Sequence, residues 1–229
     1  MRDPSQSNLR RPILAALLFS LAACRAPQPT ATAAPTADAD APTAPKPVSN
    51  LERWRRTGDR AALAAAWSEQ LAAEDAAGWD PLLQATAFRI AALRGGQLPK
   101  ELSDALAQFA SHEGLARHRR LDPRLVLPIA ELLWDSRDAA GVLRLAEVYG
   151  KPPHDQPFRF LRGAAEQVAA REPGTLRLTT GCKVMLDGAA ADASAPLQVA
   201  PGSHYAACEG QANRLIRVAP GTTLDLALP

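Results

Sequence analysis

At Glu172-Pro173-Gly174 the spacing of apolar residues changes character, and no other feature constrains the fold so strongly. Before it, from about Leu51, apolar residues recur every three or four positions, the period of a helix with one buried face. After it they alternate with polar ones, as in Thr175-Leu176-Arg177-Leu178-Thr179, which suits a strand covered on one side. Helices followed by strands, rather than alternating with them, point to an α+β chain and away from a parallel α/β sheet. The length of 229 residues allows one large domain or two small ones. Hydrophobic residues are 47% of the chain and aromatics only 5%, so a packed core is expected to rest on alanine-rich helices in close approach.

Six helical stripes follow one another between residues 50 and 172. They are Leu63-Trp67-Leu71, then Leu83-Ala87-Ile90-Ala91, then Leu102-Leu106-Phe109. Leu125-Ile129-Leu132-Leu133, Val142-Leu145-Ala146-Tyr149 and Leu161-Ala164-Ala165-Val168 complete the set. Asp80-Pro81 and Asp122-Pro123 read as starts: aspartate accepts from free N–H groups, and proline suits the first turn, where its missing donor is not needed. Gly95-Gly96, Gly150 and Pro152-Pro153 read as stops, and Pro128 as a kink or a delayed start. Short helices with short breaks predict an α-helical hairpin array, with a compact irregular bundle as the other reading. Within Asp122–Pro153 the residues Leu125, Leu132, Gly141, Leu145, Val148 and Pro153 resemble one tetratricopeptide-type (TPR-like) hairpin, although Ile129 stands where that family places a small residue. The two Asp-Pro starts are separated by a HEAT-like interval.

The N-terminus predicts export. Arg10-Arg11 precede an apolar run from Ile13 to Ala23, too short for the roughly 20 residues that span a bilayer and typical of a signal peptide. Leu21-Ala22-Ala23-Cys24 resembles the lipobox of bacterial lipoproteins. That resemblance implies cleavage after residue 23 and lipidation of Cys24 with diacylglycerol and an acyl chain such as palmitate. Two or more chains hold a soluble body on a membrane where one binds only marginally. Arg25 replaces the aspartate that retains many enteric lipoproteins at the inner membrane, so the resemblance favours the outer membrane. Residues 24–49 are rich in Ala, Pro and Thr, bury little and stay extended, a tether with a reach of about 70 Å. Arg2, Arg10 and Arg11 exceed Asp3 by two charges, the whole of the formal +2, so the mature chain is neutral and offers nucleic acid no basic face.

Residues 174–229 predict a small antiparallel β-sandwich. Asp187-Gly188 is a hairpin turn in which both residues tolerate positive φ, and further strands are expected at Leu197–Val199, His204–Ala206, Leu215–Val218 and Thr223–Leu226. The order Gly174–Leu176, Val184–Gly188, Ala195–Leu197, Pro201–His204 and Pro220–Leu224 resembles the PEGA domain, a small β-sandwich of bacterial and archaeal envelope proteins. The resemblance implies an extracytoplasmic adhesion, display or sensing accessory without established chemistry. Cys182 and Cys208 are a departure from that family. With Cys24 lipidated and the chain exported, these two are expected to form a disulfide worth roughly 3–4 kcal/mol, two separate buried thiols being the alternative.

Chemistry is hard to place. His112, His118, His154 and His204 lack metal-ligand spacing, and the chain shows neither a nucleophile elbow nor a phosphate-cradling glycine loop, so no enzyme, metal or cofactor is expected. Two basic clusters are the binding candidates: Arg53, Arg55 and Arg56 around Trp54, and Arg117, Arg119 and Arg120 beside His118. They would meet anionic headgroups or envelope polymers, or else form solvated faces balanced by acids. The sequence thus predicts a non-enzymatic, membrane-anchored envelope lipoprotein that contacts a protein partner, or alternatively peptidoglycan or surface polysaccharide through its β-domain. A cell-wall enzyme is the third class, and it would need clustered Asp, Glu and His in the helices.

Overall fold

The computed structural model describes residues 48–229 apart from Glu74 and His154. Among them, nine helices precede seven strands, an α+β order, and Lys46–Pro229 is one compact unit. The lipobox, Cys24 and nearly all of the tether lie outside the described residues.

Helices α1 (Asn50–Thr57) and α2 (Arg60–Ala72) are each opened by a side chain that accepts a free N–H, Ser49 for α1 and Asp59 for α2. Between them Gly58 turns the chain at φ 72°, where a β-carbon would be strained. Next come α3 (Trp79–Phe88) and α4 (Ile90–Arg94). Asp80 does not cap α3 as the sequence suggests: the helix begins one residue earlier, at Trp79, whose indole is buried. Pro81 is tolerated because the first turn needs no donor there. The ladder breaks at Arg89, so the stripe shifts: Leu82, Leu83, Ala85, Thr86 and Leu93 are buried, while Ala91 is exposed.

In α5 (Lys100–Phe109) the expected Leu102, Leu106 and Phe109 are buried. Helix α6 (His112–Arg117), which none of the six stripes covers, is opened by Ser111. Asp122 caps α7 (Pro123–Asp135) at the Arg124 N–H, 2.8 Å away, and Pro128 sits inside that helix. Ile129, Leu132 and Leu133 of α7 meet Val142, Leu145 and Tyr149 of α8 (Ala139–Tyr149) in the main core. In α9 (Asp155–Arg171) Phe158 and Ala165 are the buried residues, and Leu161 and Val168 pack at its margin.

The strands are β1 (Gly174–Thr179), β2 (Val184–Leu186), β3 (Ala189–Ala191), β4 (Leu197–Val199), β5 (Gly202–Cys208), β6 (Arg214–Val218) and β7 (Thr223–Ala227). They form two sheets, β4-β1-β7 and β3-β2-β5-β6. Leu176 and Leu226 from the first sheet share a small core with Ala206 and Ile216 from the second. Asp187 and Gly188 take φ 51° and 83°, and this two-residue turn pairs β2 with β3. The expectation of a wholly antiparallel β part needs correction. Strands β1 and β7 run parallel, from Thr175 opposite Thr223 to Thr179 opposite Ala227. Alternation reports which face is covered and not which way a strand runs; the five strands between β1 and β7 supply the long crossover that a parallel pair requires.

Candidate functional site

The turn from α2 into α3, the end of α5 and α6 enclose a cleft of about 470 Å³. Ser111 Oγ accepts the Gly114 N–H at 3.0 Å, and a side chain on Gly114 would strike the Gln108 and Phe109 carbonyls. The chain therefore folds back tightly, and His118 is laid against the core. Its ring stacks on Phe109 at 4.3 Å and on Trp79 at 4.7 Å, and Trp67 meets both of those residues edge-on. His118 Nε2 lies 3.3 Å from the Phe109 carbonyl, its Nδ1 has no partner, and its own carbonyl accepts the Tyr149 hydroxyl. Burial, aided by the charge of Arg117, pushes its pKa down to about 4. At neutral pH this ring is an uncharged member of an aromatic stack.

Arg117 lines the cleft, and Arg119 and Arg120 follow it on the surface. None of the three makes an ion pair with another described residue. The other basic cluster differs. Arg53 lies 3.5 Å from Asp59 and also donates to Asn50, Arg56 pairs with Glu52 at 2.7 Å, and Arg55 donates to the Pro81 carbonyl. Arg89 lies over the Trp54 ring and donates to the Arg55 carbonyl. The Arg53–Arg56 group is thus largely engaged with its own body, and the structure does not bring it together with the other cluster in one site.

A second polar constellation lies where α8 meets β5. Asp187 Oδ2 is 2.6 Å from His204 Nδ1, and Asp187 Oδ1 accepts the Tyr205 N–H. His204 Nε2 is 2.7 Å from the Ala200 carbonyl. Burial opposes the charge on Asp187, but the hydrogen bond with His204 and the nearby Arg144 outweigh it and hold the carboxyl below its usual range. Arg144, 14% exposed, donates to the carbonyls of Ala110 and Ser203 and lies 3.4 Å from Asp187. An Asp–His pair next to Ser203 invites a triad reading, but both His204 nitrogens are occupied and none remains to take a hydroxyl proton. The constellation fastens strands to helices. Asp138 does the same: its Oδ1 accepts from Gly141, capping α8, and from Ser203 in β5.

Sequence reasoning missed these fasteners. The available signal was Arg144 itself, a charge inside the apolar run Val142–Ala146. Cys182 and Cys208 lie at disulfide distance, with Cα atoms 5.7 Å apart. Among the described residues no group of three or more His, Cys, Asp or Glu is placed to hold a metal ion, and no helix is long and apolar enough to cross a membrane. Family models, curated proteins and solved structures offer no match to this chain.

Proposed function

We propose that the chain is a membrane-anchored lipoprotein of the bacterial cell envelope, held through lipid on Cys24 at the outer membrane. Its folded body acts as a non-enzymatic protein-interaction or scaffold component. One observation carries the reading. Arg117 lines the 470 Å³ cleft, where Asp75 and Glu113 also lie, and Arg119 and Arg120 follow it exposed; none of the three pairs with an acid among the described residues, whereas Arg53, Arg55 and Arg56 are engaged internally. Exposed arginines with no ion-pair partner among the described residues favour an acidic protein surface as partner. On this reading the helices stack as TPR-like hairpins. The β part is a PEGA-like sandwich closed by the Cys182–Cys208 bridge, supported by two sheets around one core and by the Asp187-Gly188 turn. The candidate acid–base residues His118 and His204 are held in structural contacts, which favours binding over catalysis.

Two measurements test this. Labelled palmitate is expected on the wild-type chain in growing cells and absent from Cys24→Ser. Crosslinking in intact cells is expected to capture an envelope protein, and Arg119→Glu with Arg120→Glu to abolish the capture. Retention on isolated sacculi, indifferent to the arginines and with no crosslinked protein, would overturn the protein-partner reading in favour of cell-wall polymer.

A further inference from the structure

Between the end of α7, α5 and strands β5 and β6 lies a second cavity, of about 250 Å³. It is lined among others by Ser103, Ser136, Arg137, Gly202, Ser203 and Arg217. We infer that this pocket binds an oxyanion, the phosphate or carboxylate group of a ligand. The inference is independent of the lipid anchor and of the partner proposed above.

The backbone supplies the first reason. Helix α7 ends with the Arg137 N–H donating to the Trp134 carbonyl and the Asp138 N–H to that of Leu133. This closing pattern puts its left-handed residue at Arg137, with φ 61°, where glycine is the usual occupant because a β-carbon is strained there. An arginine held in that conformation aims a side chain from a fixed point, and Arg137 makes no ion pair with another described residue. Strain of this kind gathers where a side chain has a task.

The lining supplies the second reason. Arg217 spends one nitrogen on Asp104 at 2.7 Å and on Ser103 Oγ at 3.0 Å, leaving its remaining N–H groups for another acceptor. Ser103 Oγ accepts that bond and keeps its proton to donate, and Ser136 and Ser203 also line the space. The acidic member of the lining, Asp138, has one oxygen committed to Gly141 and Ser203, and Asp104 is shared by Lys100 and Arg217. Two arginines and three serines lining a small cavity suit a planar or tetrahedral oxyanion, which accepts from several donors at once. A cation would face two arginines, against which Asp138 supplies a single negative charge. Gly202 sets the floor: a side chain there would collide with the Asp138 carboxylate.

Thermal unfolding of the purified full-length chain tests the pocket, titrated with sodium phosphate or sodium acetate at constant ionic strength against sodium chloride. A saturable rise in Tm with phosphate identifies a tetrahedral ligand group, one with acetate a planar group, and either supports the pocket if it exceeds the chloride effect. Arg137→Gly is expected to fold at least as stably without anion, since glycine is at ease at that φ, and to weaken the anion response about tenfold. Ser136→Ala is expected to weaken it several-fold, a second readout that leaves the helix end in place. Responses to phosphate and acetate no larger than to chloride, or an Arg137→Gly response equal to that of the wild type, would overturn the inference.

Discussion

Packed against both Trp79 and Phe109, His118 makes the fold sensitive to mild acid. An unfolded histidine titrates near 6.5 and the folded one at about 4, so between those values the unfolded chain binds the extra proton. Above 6.5 both states are neutral and nothing is lost. As pH falls from 6.5 towards 4 the fold loses stability, on the order of 2–3 kcal/mol in all. Asp187 acts in a different window: its lowered carboxyl favours the fold until pH falls below the ordinary carboxylate value of 3.8. His118→Phe keeps the stack and removes a buried nitrogen that has no partner. Urea unfolding at pH 7.5 and 5 is expected to show a clear difference for the wild type and almost none for this variant. Equal pH dependence in the two would refute the assignment. In the sequence His118 stands within a run of arginines and looks like part of a solvated cluster. Its burial depends on the Gly114 turn, which no local pattern of apolar residues reports.

Two aspartates with the same local duty separate what a sequence reveals about an element from what it conceals. Asp122 caps α7 from an exposed position, and the Asp-Pro pair announces it. Asp138 caps α8 through an identical 2.8 Å bond but is buried, and it also accepts the Ser203 N–H at 2.9 Å. Asp122→Ala therefore removes only a cap, costing about 1 kcal/mol. Asp138→Ala also strands a buried N–H and is expected to cost about 2–4 kcal/mol. Equal losses in urea unfolding would show that the second bond contributes nothing. The same contrast explains which elements were legible. Stripes in α2, α5, α7 and α8 and the Asp187-Gly188 turn are recorded in local spacing, and the structure has them. The phase shift at Arg89, the turn into α6 and the parallel β1–β7 pair depend on distant packing. So does the engagement of the arginines. The charges of Arg53, Arg55, Arg56, Arg117, Arg119 and Arg120 are plain in the sequence, but which of them have intramolecular partners is settled only by the fold.

Arg144, Asp138 and the Arg217–Asp104 pair tie the strands to the helices, so the body is expected to unfold as one cooperative unit. The distribution of probes makes this measurable. All four tryptophans, Trp54, Trp67, Trp79 and Trp134, lie in helices, whereas Cys182 precedes β2 and Cys208 ends β5 in the second sheet. With the proposed Cys182–Cys208 bridge formed, reduction perturbs only the β part directly and is expected to remove roughly 3–4 kcal/mol from it. If the two parts are one unit, tryptophan fluorescence must report that loss as a lower urea midpoint, although no tryptophan is near the sulfurs in sequence. If they unfold separately, the tryptophan midpoint stays fixed while the β part melts early. Arg144→Met, which breaks the tie to Asp187 while keeping the bulk of the side chain, is expected to shrink the effect of reductant on the tryptophan signal. A Cys182→Ala, Cys208→Ala chain should ignore reductant altogether, which separates the bridge from any action of the reagent on the helices themselves.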